Sequence, residues 1–175
     1  MHHPLDIPNL VILDSETTGL DHHAEIIELS VMDRDGQPLI DTLIKPVGRI
    51  SDESSDIHGI TNADVQDAPT WAEIYPQLVG LCLSHTLGIY NASFDIRMIQ
   101  QTCAAHQLAF QPIQDSVCLM HWYAEHWGEK NSHGDYKWQR LTNAASQQGI
   151  DISDLTAHRA LSDCEITRRL LFKTK

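Results

Sequence analysis

The chain has 175 residues, of which 42% are apolar and 21% are charged, and its net charge at pH 7 is −12. This length predicts one domain over residues 1–175 that buries about 70% of its surface, and the composition excludes disordered and fibrous proteins. The acidic balance also disfavours binding of duplex DNA through a broad basic face. It leaves open a plain acidic domain, or a carboxylate-rich site whose charge is offset by bound cations.

No apolar stretch of the sequence is long enough to span a bilayer, and no basic segment precedes an apolar run as in a secretory signal. The four cysteines form no CxxC pair, which favours free thiols over a zinc ribbon or a disulfide framework. We therefore expect a cytoplasmic protein that does not bind membranes.

Apolar periodicity and turn residues predict strands in the first part of the chain, and helices alternating with strands after it. The first part comprises strands over 9–14, 25–33 and 37–45, and a polar loop with short helical turns over 51–62. The second part comprises a helix over 70–83, a strand over 85–91, a helix over 92–106, a strand over 111–117, and helices over 136–148 and 160–171. A hairpin followed by alternating helices and strands indicates an α/β fold with a mixed sheet.

Single residues support several of these boundaries. Asp35-Gly36 is a strong hairpin signal between the second and third strands. Pro76 predicts a kink or break in its helix, Asn91 is a candidate N-cap, and Gly149 ends the penultimate helix.

The first strand ends in two acids, Asp14 and Glu16. Side chains two positions apart on a strand point to the same side, so these carboxylates would repel each other unless a cation lies between them. The alternative is a solvated turn at the end of the strand, and from these two residues alone the alternatives are equally favoured.

Further acids and a histidine lie on the later helices. Asp95 falls in the first turn after a strand, where charge matching to the helix N-terminus is the simpler explanation. Asp163 lies near the apolar stripe of the last helix, which is costly unless it binds metal or pairs with Arg159 four residues earlier. His158, in the turn before this helix, is either a structural or solvated residue or a base near the carboxylates.

Three motifs, LDSETTGL, YNASFD and AHRALSD, occur in this order and resemble the exonuclease motifs of the DEDD superfamily. HRALSD resembles the HxxxxD signature of its His-containing (DEDDh) branch, which includes bacterial proofreading subunits and RNase T. IIEL and KPVGRISDESSDIHGIT are also similar to family segments, so the resemblance extends over residues 9–171. It implies a ribonuclease-H-like fold, with a mixed five-stranded sheet flanked by helices.

The resemblance also implies a mechanism, 3′-to-5′ hydrolysis that releases nucleoside 5′-monophosphates. Asp14, Glu16, Asp95 and Asp163 would bind two Mg²⁺ or Mn²⁺ ions, and His158 would be the general base. Carboxylate oxygens suit these hard cations, and two such ions can clamp the attacking and leaving oxygens.

Substrate contacts are weaker inferences from the same resemblance. They are Thr17, Thr18 and Leu20 at the terminal nucleotide, for which a turn closed by Gly19 is the alternative. Phe94 and His58 are further candidates, although core packing is favoured for Phe94, and capping or packing explains His58 equally well. Segment 120–138 does not match the family. Its aromatic and cationic residues suit stacking on a single strand, but a packed or subunit-facing lid is slightly favoured.

The expected partner is nucleic acid with a free 3′ end, either single-stranded or short. A catalytically inactive nucleic-acid-binding module and a small-nucleotide phosphodiesterase are the alternative functions. We expect no polymerase-tethering tail, since the chain ends four residues after the last predicted helix. A homodimer and the choice between DNA and RNA stay open.

Overall fold

The structure is a computed structural model that describes residues 2–156 and 158–175, so Met1 and Ala157 lie outside it. Five strands form one sheet: β1 (Leu10–Thr17), β2 (Ile26–Asp33), β3 (Pro38–Leu43), β4 (Thr86–Ile89) and β5 (Ser116–Cys118). The helices are α1 (Asp52–His58), α2 (Trp71–Cys82), α3 (Ala92–Ala105), α4 (Leu119–Trp127), α5 (Leu141–Gln147) and α6 (Ala160–Lys173), after a short 3-10 helix over Pro4–Asp6.

The strand order is β3-β2-β1-β4-β5. β1 pairs antiparallel with β2, which pairs antiparallel with β3, whereas β1–β4 and β4–β5 are parallel pairs. The prediction of a mixed five-stranded α/β sheet is therefore confirmed. β1 lies at the centre of the sheet, so its carboxyl end adjoins the start of the helix that follows β4.

Alternate residues of β1 enter two apolar cores, one on each face of the sheet. Val11 and Leu13 pack in the core that contains residues of α2 and α3. Leu10 and Ile12 pack in the core that contains residues of α4, α5 and α6. Because the alternation continues along the strand, Asp14 and Glu16 point to the side of α6, and Ser15 points to the side of α3.

Several predicted boundaries are wrong in detail. The fifth strand is confined to Ser116–Cys118, because the Gln111 N–H donates to the Tyr75 hydroxyl (2.7 Å) instead of joining the sheet. The penultimate helix begins at Leu141 rather than 136. A hairpin with an antiparallel bridge between Lys130 and Tyr136 occupies the residues before it.

Two helices also differ from the predictions. α4 was not predicted, although its buried residues Leu119, Trp122 and Tyr123 have helical spacing. α2 continues through Pro76 without a break, since it buries Trp71 and has a capping box at its N-terminus. No helix among the described residues is long and apolar enough to cross a membrane.

Candidate active site

One pocket at the carboxyl end of β1 brings the five predicted catalytic residues together. Its lining includes all of them: Asp14, Glu16, Asp95, His158 and Asp163. Within it, ligand atoms of Glu16, His158 and Asp163 all lie within 4.8 Å of one another. Residues distant in sequence thus form a compact group of oxygen and nitrogen donors.

Asp95 reaches this pocket from the other face of the sheet. It is buried in the first turn of α3, where its Oδ1 accepts a hydrogen bond from the Ser15 hydroxyl (2.7 Å). Ser15 lies between Asp14 and Glu16 on β1 but points to the α3 side. This serine therefore ties the carboxylate of α3 to the strand end that carries the first two acids.

Asp163 is in the first turn of α6, beside the buried Ala160 and Cys164. The predicted apolar stripe of this helix is confirmed, and Asp163 is half-buried at its edge. Arg159, considered as its partner, instead pairs with Glu28 of β2. Arg159 does not face Asp163 four residues later, because it is the N-cap residue and has extended rather than helical backbone angles.

Glu28 is the buried acceptor that fixes the start of α6. Its carboxylate accepts from Arg159 Nε (3.0 and 3.1 Å) and Nη2 (2.5 Å), and from the Ala160 N–H (2.9 Å). His158 directly precedes Arg159. Its side chain is exposed, and its backbone is left-handed, with a φ of 59°. Glu28 thus holds the two residues that directly follow His158.

Burial, followed by repulsion from neighbouring acids, raises the pKa values of Asp14 and Glu16 on β1. The pKa of Asp14 lies well above its ordinary value, chiefly because of burial and then because of the nearby Asp95 and Asp163. Burial, followed by repulsion from Asp163, raises the pKa of Glu16 to about 8. The ionised form of both carboxyl groups is therefore unfavourable when no cation is bound.

The two helix acids have smaller shifts in the same direction. Burial raises the pKa of Asp95 to about 7, although the hydrogen bond from Ser15 opposes this change. Burial also raises the pKa of Asp163 to about 6, against the attraction of His158. A divalent cation would favour the ionised form of all four carboxyl groups.

A second pocket adjoins the acids and is lined by every predicted substrate-contact residue: Thr17, Thr18, Leu20, His58 and Phe94. Ser15, Glu16 and Phe94 border both pockets. Leu20 is 74% exposed at its rim, a large apolar side chain that faces solvent beside the acids. A substrate end could therefore occupy this pocket while its last phosphodiester lies at the carboxylates.

His58 is the buried C-terminal residue of α1, and its ring is used in backbone hydrogen bonds. Its Nδ1 accepts the Ile60 N–H (3.0 Å), so Nε2 carries the proton and donates to the Thr17 carbonyl (3.2 Å). The ring thus supports the strand end that lines the second pocket, and its contact with substrate stays a prediction.

Sequence reasoning missed two arginines that border these pockets. Arg140 borders the acid pocket at the N-cap of α5, and Arg49 borders the second pocket. Thr142, Asn91 and Tyr90 also border the acid pocket. The aromatic and cationic segment 120–138, which ends two residues before Arg140, was the available signal for this arginine.

The fold and the carboxylate cluster define a ribonuclease-H-like nuclease domain. The sequence profile of the exonuclease (RNase T) family matches residues 11–171. The chain belongs to this exonuclease family. It is thus a member of a nuclease family that uses divalent metal ions.

Individual relatives agree with this assignment. The uncharacterized exonuclease CP81 of Escherichia phage 186 is 39% identical over 162 residues, which cover 90% of this chain and 83% of the phage protein. Among solved structures, Exonuclease X bound to 5′-overhanging duplex DNA is 29% identical with a TM-score of 0.71, covering 94% of this chain and 90% of that one.

The nuclease domain of 3′hExo, a DEDDh member bound to rAMP, has a TM-score of 0.76 at 17% identity over 94% of this chain and 90% of that one, and supports the fold. The chain spans only 7% of the length of the PolC-type DNA polymerase III relatives that it also matches.

Proposed function

We propose that this protein is a 3′-to-5′ exonuclease that releases nucleoside 5′-monophosphates from the free 3′ end of DNA or RNA. The observation that carries the proposal is the convergence of Asp14, Glu16, Asp95 and Asp163 in one pocket, with His158 at its edge. The complex of Exonuclease X with 5′-overhanging duplex DNA supports nucleic acid as the substrate class.

The donor set fits divalent metal. Four carboxyl groups with raised pKa values lie together, and hard oxygen donors suit Mg²⁺ or Mn²⁺. These four residues would bind two ions per site, of which Glu16 and Asp163 would share one. Bound there, the ions would activate water and neutralise charge on the leaving oxygen.

The residues of the chain have separate tasks in this proposal. His158 takes the proton of the attacking water, because its exposed ring lies on the edge of the acid cluster. Glu28 and Arg159 hold the turn that carries His158, as their ion pair fixes the residues that follow it. Ser15 orients the Asp95 carboxylate by donating to its Oδ1.

The second pocket would receive the 3′-terminal nucleotide. Thr17 and Thr18 line it, and the exposed Leu20 can wedge between the last two bases. Phe94 can stack at the boundary of the two pockets. Arg49 supplies a positive charge for a phosphate at the rim.

An assay of the direction of degradation tests the proposed function. Single-stranded DNA and RNA labelled at the 5′ end should shorten from the 3′ end when Mg²⁺ or Mn²⁺ is added, and chromatography should detect 5′-monophosphates. A circular single strand of the same sequence is the control, because it has no 3′ end. Rapid cutting of the circle, or activity that survives exhaustive chelation, would contradict the proposal.

The alternatives predict different outcomes of the same assay. A binding module would retain the strand without shortening it, and a small-nucleotide phosphodiesterase would hydrolyse dinucleotides but not longer strands. The complete set of five motif residues disfavours the binding module.

A further inference from the structure

An aromatic surface outside the catalytic pocket is formed by α4 and the hairpin that follows it. We call its three rings, those of His121, Tyr136 and Trp138, the aromatic platform. The rings of His121 and Trp138 stack with centroids 5.2 Å apart and an interplanar angle of 29°. All three residues line one groove, so the platform is a shaped surface rather than scattered side chains.

The platform leaves a large apolar area in contact with water. Trp138 is 68% exposed and Tyr136 is 40% exposed, whereas Trp71 and Trp122 are buried in the cores. An indole with one face packed and the rest open suits a planar ligand, because aromatic rings stack in offset pairs. The Lys130 ammonium lies 5.0 Å from the Tyr136 ring centroid and adds a positive charge at the edge.

The platform is continuous with the catalytic pocket through two chain segments. Met120, which borders the acids, immediately precedes His121. Arg140, which also borders the acids, follows Trp138 by two residues, so their Cα atoms are at most about 7 Å apart. A strand that leaves the scissile position towards α4 therefore meets the stacked pair directly.

The charge around the groove favours bases over phosphates. Glu125 and Asp135 line it beside the rings. Lys137 also lines the groove, but its ammonium is paired with Glu129 (2.5 Å). Phosphates would be repelled from the acidic lining, whereas a nucleobase is neutral and presents a π face.

We propose that the aromatic platform stacks an unpaired base of the substrate strand on the 5′ side of the scissile phosphodiester. This inference rests on the proposed function, and it assigns to the protein a preference for single-stranded over blunt duplex ends. Arg140, between platform and acids, is placed to meet the phosphate that links the stacked base to the reacting nucleotide.

The test compares a long substrate with one that has no upstream base. The long substrate is a 5′-fluorescein-labelled oligothymidylate, and the short one is the p-nitrophenyl ester of thymidine 5′-monophosphate. Trp138→Ala should raise KM for the oligonucleotide about 5- to 100-fold, as expected for the loss of one stacked base. Its kcat should be unchanged, and both constants for the ester should match those of the wild type.

Two variants separate stacking from folding. Trp138→Phe should recover most of the lost affinity, because it keeps an aromatic face. Trp127→Ala removes another exposed tryptophan, which stacks on Tyr123 and does not line the groove. It should leave KM within about twofold of the wild type. Thermal melts of each variant check that the fold is intact.

Abasic substitution locates the stacked base. Removing single bases upstream of the 3′ end should weaken wild-type binding strongly at one position, and Trp138→Ala should be insensitive to that same change. If Trp138→Ala leaves KM for the oligonucleotide unchanged, or instead turns a dimer into a monomer, the platform is not a base-stacking site.

The proposal of a stacking platform and the proposal of exonuclease activity can be disproved independently. If the wild type hydrolyses neither substrate, fluorescence anisotropy of the labelled oligonucleotide still measures its binding. Loss of that binding in Trp138→Ala supports the platform without the activity. Equal binding by the wild type and Trp138→Ala, with hydrolysis intact, rejects the platform alone.

Discussion

Replacement of Asp163 by asparagine should abolish hydrolysis and yet raise the thermal midpoint of the metal-free protein. Asp163 lies in a cluster of acids, and its pKa is raised from 3.8 to about 6. A carboxyl group with a raised folded-state pKa destabilises the fold once it ionises. Asparagine is nearly isosteric with aspartate and carries no charge, so it removes this cost.

The size of the effect follows from the pKa shift. A shift of about two units at roughly 1.4 kcal/mol per unit gives an upper value near 3 kcal/mol, which partial exposure reduces to about 1–2 kcal/mol. For a domain of this size, 1 kcal/mol changes the midpoint by about 2–4 °C, so the expected rise is about 2–8 °C. The higher midpoint of Asp163→Asn should be present above about pH 6 and vanish near pH 4, where the wild-type carboxyl is protonated.

Thermal melts in chelator at both pH values measure the change, with Asp154→Asn as a matched control. Asp154 is an exposed acid paired with Arg169, which lowers its pKa, so its replacement should not raise the midpoint. Added Mg²⁺ should stabilise the wild type more than Asp163→Asn. A lower midpoint for Asp163→Asn in chelator would refute the reasoning and make Asp163 a structural residue.

Three further predictions concern the same pocket. His158→Ala should reduce kcat about 10²- to 10⁴-fold while Mn²⁺ affinity, measured by calorimetry, stays constant; an equal loss of affinity would make His158 a ligand. In chelator, melts should show a rising midpoint as the pH falls from about 8 to 6, because the raised pKa values of Glu16 and Asp95 make the folded state bind more protons than the unfolded one. Saturating Mg²⁺ should weaken this trend, and its persistence unchanged would argue against metal binding. Arg159→Met should lower the midpoint in chelator, since it leaves the buried Glu28 short of donors at a cost of about 1–3 kcal/mol, whereas an unchanged midpoint would show that the ion pair is dispensable.

Periodicity was sufficient to predict the parts of the site that depend on one element. The i, i+2 spacing of Asp14 and Glu16 put both on the same side of β1, and the helical stripe put Asp163 at the edge of the α6 core. Each inference needed only the local geometry of a strand or helix.

Contacts between segments distant in the sequence could not be predicted from periodicity. The hydrogen bond from Ser15 to Asp95 joins residues 80 apart, and it links the end of β1 to the first turn of α3. Helix spacing made Arg159 the alternative partner of Asp163, and its extended backbone instead directs the guanidinium to Glu28. Such pairings depend on where the elements pack, which spacing alone does not determine.

The acid pocket combines residues from β1, near the start of the chain, with residues of α6, the last helix. α6 packs on β1 and β2, so the acids of the strand and of the helix meet only when this helix docks on the sheet. A chain that lacks a docked α6 therefore keeps Asp163 away from Asp14 and Glu16, and its acid pocket is incomplete. Separate expression of residues 1–150 and 151–175 would yield inactive fragments that regain activity only when they reassociate.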